Sequence, residues 1–150
     1  MENISEHISW NEGKASQTAV RMGIDNTPDA ETVARMKLTA NNCFEPIRKH
    51  YGKPIIVSSF YRCWEVNGNV KGSSSTSQHP QGEAIDFISE NMAELFEWIR
   101  RNIEFDQLIW EYGDDKSPAW IHISYSERHP NKQEVLKVKL VDKKMVWSHI

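Results

Sequence analysis

His79, Asp86 and His122 are the residues whose types and spacing best suit chemistry in this sequence. His79 precedes Asp86 by seven positions, and Gly82 between them allows a tight turn from a loop into a strand. Asp86 falls mid-strand between Ile85 and Phe87, and His122 lies likewise between Ile121 and Ile123. A carboxylate flanked in this way must be paired, hydrogen-bonded or bound to a metal. Two imidazoles and one carboxylate suit zinc. Three protein ligands leave the fourth position for water, which is the catalytic rather than the structural arrangement. Spacing alone fits equally a hydrogen-bonded strand histidine and a turn aspartate, both commoner than a metal site.

A proton acceptor is the next requirement. Glu111 ends the strand before His122 and, if that strand alternates, lies on the face opposite Leu108, Trp110 and Tyr112. Zinc would acidify water and polarise a carbonyl, and Glu111 would take the proton and pass it to a leaving amine. Asp114 and Asp115, on the following turn, are its rivals.

The elements that must hold these residues follow from the pattern. Residues 1–28 read as irregular, with one short helix around Ser16–Met22 capped by Ser16. Thr27 and Pro28 open a long amphipathic helix through Val33, Met36, Ala40, Cys43, Phe44, Ile47 and Tyr51. Pro46 predicts a kink or break in it near residue 42. A short buried strand at residues 55–57 precedes a long loop, residues 59–78, without period. Residues 84–88 alternate as a strand, and residues 91–101 form a second helix. Residues 105–111 and 119–125 are expected to pair as a hairpin, and tail strands follow near 134–140 and 144–148, turning at Asp142–Lys143. The expected class is α+β: one antiparallel sheet with helices on one face and the cleft on the other.

Bulk properties bound the function. The 150 residues, 39% apolar and 26% charged, fit one globular domain. A net charge of -3 offers no field for nucleic acid or anionic lipid, and no apolar run reaches a membrane span. The start, MENISEHISW, is polar and acidic and does not read as a signal peptide. The expectation is a monomer made in a cytoplasm, with a phage origin and release to the cell wall left open. Two cysteines make no disulfide framework: Cys43 reads as a buried thiol, and a pairing with Cys63 stays open.

The segment SQHPQGEAID, Ser77 to Asp86, resembles the S-x-H-x-x-G-x-A-x-D signature of the M15 family of zinc peptidases, the D-alanyl-D-alanine carboxypeptidase and phage endolysin family, whose fold is shared by the Hedgehog signalling domain. SSFYR (Ser58 to Arg62), Asn67 and Gly72 resemble that family's lead-in, and WIHISY (Trp120 to Tyr125) its second histidine strand. SQTAVRMGIDN and LTANNCFEPIRKHYGKPIIV resemble its small single-domain branch, so the likeness covers about residues 10–125. The resemblance implies a Hedgehog-like fold, zinc on His79, Asp86 and His122, and a peptidoglycan stem peptide as substrate. It implies that Arg62 faces a substrate carboxylate, as a guanidinium can with two parallel bonds. Ser77, Gln78 and Trp120 become candidate substrate contacts, and Ser77 a candidate orienter of His79. The family's carboxylate often stands three residues before the second histidine, where this chain has Ala119. That departure makes Glu111 the favoured base and keeps two rivals in view: a binding module without catalysis, and a zinc hydrolase acting on another substrate.

Overall fold

The computed structural model describes residues 2–150. The described residues 2–28 hold two helices where one was expected. Trp10–Lys14 (α1) is opened by a capping box, in which the Glu12 N–H donates to Ser9 Oγ and the Ser9 N–H donates to Glu12 Oε1. Gln17–Met22 (α2) is capped by Ser16, as its sequence suggests, and ends at Gly23 in the left-handed conformation. The next helix, Ala30–Thr39 (α3), is capped by Asp29 rather than Thr27, with the Thr32 N–H donating to Asp29 Oδ1 at 2.8 Å.

Pro46 has no N–H for the preceding turn, and the helix answers by widening into a π turn, Ala40–Phe44, before resuming as Glu45–Tyr51 (α4). The break is therefore local, and the apolar face stays continuous. The stretch expected to be an irregular loop contains Trp64–Gly68 (α5). The last helix is Met92–Asn102 (α6).

Among the described residues six strands form one sheet: Ile56–Ser59 (β1), Ala84–Ile88 (β2), Gln107–Glu111 (β3), Trp120–Ser124 (β4), Glu134–Val141 (β5) and Lys144–His149 (β6), in the order β1-β2-β4-β3-β5-β6. β1 is an edge strand with Ile56 exposed, not the buried strand its composition suggests. The expectation of an antiparallel sheet fails at one pairing: β3 and β5 run parallel. β2 already occupies the free side of β4, so the chain crosses to the open edge of β3. Asp106 guides the crossing, its Oδ1 accepting from the Lys132 N–H and its carbonyl from the Glu134 N–H.

Alternation then divides the sheet. Ile85, Ile123 and Leu108 stand side by side on one face, as do Phe87, Ile121 and Trp110. They join Met36, Phe44 and Ile47 of the α3–α4 layer and Leu95, Phe96 and Ile99 of α6 in one core. Each large apolar side chain buried there contributes roughly 1.5–3 kcal/mol. A one-residue slip of β2 or β4 would turn that face outward and drive Asp86 or His122 into the core, so the core fixes the register of the opposite face. Both cysteines are free, Cys43 buried and Cys63 half-buried. No helix among the described residues is long and apolar enough to cross a membrane.

Candidate metal centre and cleft

Asp86 and His122 are register partners across β2 and β4, and their side chains share the face away from the helices. His122 Nδ1 lies 2.9 Å from Asp86 Oδ1. His79 arrives from outside the sheet on a 3₁₀ turn, His79–Gln81, closed by Gly82. Gly82 is left-handed at φ 74°, and a Cβ there would stand 2.8 Å from the Thr32 carbonyl oxygen and 2.7 Å from Met36 Cγ. Only glycine lets α3 approach so closely. Arg35 Nε donates to the Gln81 carbonyl and Thr39 Oγ1 to the Gly82 carbonyl, completing the attachment of the turn to α3.

The His79 ring is set by a backbone group, not by Ser77. Nδ1 lies 2.6 Å from the Phe60 carbonyl oxygen, which makes Nδ1 the protonated nitrogen. Ser77 Oγ accepts the His79 backbone N–H instead. The opposite nitrogen, Nε2, is buried and makes no hydrogen bond of acceptable geometry, although Asp86 Oδ2 stands 3.2 Å away. One donor atom from each of His79, Asp86 and His122 lies within 4.8 Å of the others, and the three residues are 1%, 8% and 9% exposed. An orphaned imidazole nitrogen facing a carboxylate and a second imidazole is a donor set that fits a zinc-sized cation. A second acidic group, Glu6, His7 and Glu45, sits at the surface, where the His7–Glu45 ion pair already accounts for it.

Charge orders this trio. Burial pushes the Asp86 carboxyl up, but the adjacent imidazoles outweigh burial and hold it well below the usual carboxylate range. Burial drives His79 down, which favours the neutral ring a metal ligand needs. For His122 burial acts in the same direction, but the hydrogen bond and charge of Asp86 outweigh it and leave the ring raised.

The trio lies in a cleft of about 310 Å³ that also meets Arg62, Ser77, Gln78, Glu111 and Trp120. Glu111 reaches it from β3, opposite Trp120, whose Nε1–H donates to Glu111 Oε2. Burial lifts the Glu111 carboxyl to about 7, with Asp86 adding to the rise and His122, Trp120 and Arg62 opposing it. Asp114 and Asp115 do not line the cleft. Asp114 Oδ1 accepts the N–H groups of Lys116 and Ser117 within the turn, and Asp115 pairs with Lys137. Trp110 faces the helical core and Trp64 is exposed, and neither lines the cleft. Tyr112 does line it, contrary to strict alternation: the strand has ended and its φ is 56°.

Arg62 depends on a residue far away in sequence. Asn26 Nδ2 donates to the carbonyls of Lys14 and Tyr61, and its Oδ1 accepts the Cys63 N–H, so the segment on both sides of Arg62 is pinned. Asn67 Nδ2 donates to the Ser74 carbonyl and shapes the loop that becomes the cleft's second wall. Behind Gln78, the buried Glu83 carboxylate accepts from Arg128 Nε and Nη2 and from Ser126 Oγ. The Asn26–Tyr61, Asn26–Cys63 and Glu83–Arg128 braces leave no local signature, because each joins positions tens of residues apart.

The sequence model of the family described as Peptidase M15 matches residues 6–124, most of the chain and up to the last residue of β4. None of the curated proteins compared with the chain matches it. The extent of the family match places the chain in the M15 peptidase family.

Proposed function

We propose, from membership of the M15 peptidase family, that this chain is a zinc-dependent peptidase acting on peptidoglycan stem peptides. It would either release a terminal D-alanine or cut between L-alanine and D-glutamate. The observation that carries the reading is the buried convergence of His79, Asp86 and His122, with His79 Nε2 unpartnered, on a cleft that also holds Glu111 and Arg62. The Hedgehog-like packing that the resemblance implies belongs to the same reading.

His79, Asp86 and His122 would hold the zinc, which when bound supplies a Lewis acid toward a carbonyl oxygen. Glu111 takes the proton that an attacking water loses as its oxygen bonds to the carbonyl carbon. It returns that proton to the amine nitrogen as the C–N bond breaks. The Trp120 indole holds Oε2 and so orients the carboxylate for both transfers. A carboxyl that burial lifts well above the ordinary range is suited to accepting and donating in turn, even after a bound cation draws it back down. Arg62 keeps its charge, although burial pulls its pKa down against the pull of Asp86 and Glu111. Its guanidinium would grip a free carboxylate of the stem peptide or steady the developing oxyanion. Glu111 in the cleft weighs against the binding-module alternative. Delivery to the cell wall, from a phage or a cell, belongs to the proposal as well.

Mass spectrometry of purified peptidoglycan fragments after incubation with zinc-loaded protein tests the reading. Loss of one D-alanine, or fragments cut after L-alanine, is the expected result; intact fragments with a full complement of zinc would overturn it.

A further inference from the structure

The face that carries the metal trio does not end at His122. Register sets Asp86, His122, Ile109 and Leu136 in one row across β2, β4, β3 and β5. The neighbouring row is Trp120, Glu111, Val138 and Trp147, ending on β6. The first row runs from charged or polar groups to apolar ones, and the second is apolar beyond Glu111. Ile109, Leu136 and Val138 form a small cluster with Tyr112, separate from the main core. Ile109, Leu136 and Trp147 line the same cleft as Arg62 and His79. Trp147 remains 47% exposed, so its ring is not used up by packing.

Across the cleft stands the loop of Asn67 and Ser74. At Gly72 it comes up to the hairpin, where a Cβ would lie 3.5 Å from Tyr112 Oη and 3.6 Å from Met145 Sδ. Tyr112 Oη in turn donates to Met145 Sδ at 3.2 Å. The apolar end of the cleft is thus a walled slot rather than open surface. Leu136, Val138, Met145 and Trp147 all belong to the β5–β6 hairpin, which lies beyond the residues matched by the family model.

We propose that Ile109, Leu136 and Trp147 form a recognition subsite for the apolar part of a substrate side chain, such as the methylenes of a long stem-peptide residue. This rests on reading the cleft as a peptidase site, and it makes the hairpin a determinant of specificity. Neighbouring strands are about 4.8 Å apart, so Leu136 stands roughly 10 Å from His122 and the β6 backbone roughly 14 Å. An extended peptide advances about 3.3 Å per residue. The side chain recognised therefore belongs three or four residues from the scissile bond. Contact with two aliphatic side chains and an indole is worth about tenfold in affinity.

The test uses zinc-loaded full-length protein and titration calorimetry, without turnover. The probes are acetohydroxamate, which engages only the metal, and two series of peptide hydroxamates with the zinc-binding group at the carboxyl or the amino end. Each series carries Leu, Phe or Ser three residues from that group. In one series, Leu and Phe should bind wild type about tenfold more tightly than Ser. Trp147→Ala should remove most of that preference, Trp147→Phe should keep it, and acetohydroxamate should bind all three proteins alike. No apolar preference in either series, or a preference unchanged in Trp147→Ala, overturns the subsite while leaving the zinc reading intact. Failure of acetohydroxamate to bind wild type overturns the zinc reading, and the subsite with it.

Discussion

Glu111 and Trp120 face one another across the β3–β4 pairing, and the indole N–H of one is spent on the carboxylate of the other. This relationship reconciles the chain with its family. The position three residues before His122 is Ala119, which brings no carboxylate. In the proposed mechanism the acid comes instead from the adjacent strand, where Glu111 stands on the same face and diagonal to His122, within reach of a long side chain.

Glu111→Gln should retain zinc and lose roughly 10²–10⁴-fold in turnover, the usual worth of a positioned acid–base group. Parallel measurement of bound zinc and kcat checks it, and undiminished turnover would remove Glu111 from the proposed chemistry.

The pH dependence follows from the same carboxyl. Protonated Glu111 cannot accept a proton, so kcat/KM should rise with pH along an acidic limb. Burial lifts the Glu111 carboxyl to about 7 in the metal-free protein, and a bound cation lowers it, so the limb of the zinc-loaded enzyme should lie below 7. Trp120→Phe removes a hydrogen bond that holds the carboxyl down, so its limb should move to higher pH. Stability has the opposite sign. Between the ordinary 4.5 and about 7 the folded metal-free protein holds a proton that the unfolded chain has lost, so its stability falls as pH rises through that window. Glu111→Gln should flatten this slope in metal-free melting curves.

Purified protein is expected to hold about one zinc per chain, and His122→Ala much less. At free zinc one hundred times the dissociation constant, binding contributes about 2.7 kcal/mol. Removal by a chelator should therefore lower Tm by roughly 5–10 °C for a chain of this size. Equal zinc in wild type and His122→Ala would count against the trio as ligands.

Arg62→Ala should cost substrates with a free carboxylate roughly ten- to a hundredfold more than their amidated counterparts, since a bond to a charged group is worth about 1.5–3 kcal/mol. A uniform loss on both would assign Arg62 to the oxyanion or to bracing the loop.

Arg128→Ala leaves the buried Glu83 carboxylate without its counter-charge, held by Ser126 Oγ, and should destabilise the fold by roughly 1–3 kcal/mol. Because Glu83 is bonded through its backbone to Gln78, beside His79, zinc affinity should fall as well. Arg128→Lys restores charge without the fork and should recover stability better than affinity. A loss of stability with zinc affinity unchanged would confine Arg128 to the fold.

Much of this molecule is legible in its residues, for identifiable reasons. Alternation in residues 84–88 and 119–125 fixes which side chains share a face, so Asp86 and His122 could be grouped before any fold was known. The Ser9 and Glu12 pair carries a capping-box spacing that marks the first helix, although the surrounding composition reads as irregular. Alternation assigns faces but not neighbours, which is why the parallel β3–β5 pairing has no trace in the sequence. The Phe60 carbonyl behind His79 is equally silent, because every residue has a carbonyl. Asn26 is silent because what it holds lies thirty-five positions away. Trp147 is a visible aromatic, but only the order of the strands brings it to the cleft.

The register between Asp86 and His122 also says when the site comes into being. The β3–β4 and β5–β6 pairs are hairpins that close over short turns, whereas Asp86 and His122 are thirty-six residues apart, with α6 and all of β3 between them. Their meeting carries a loop-closure cost that the hairpins largely avoid. It belongs to the slow, non-local part of folding. A chain with its hairpins formed but β2 undocked has both histidines and no coordination site, so zinc uptake followed in time reports the docking of β2 onto β4.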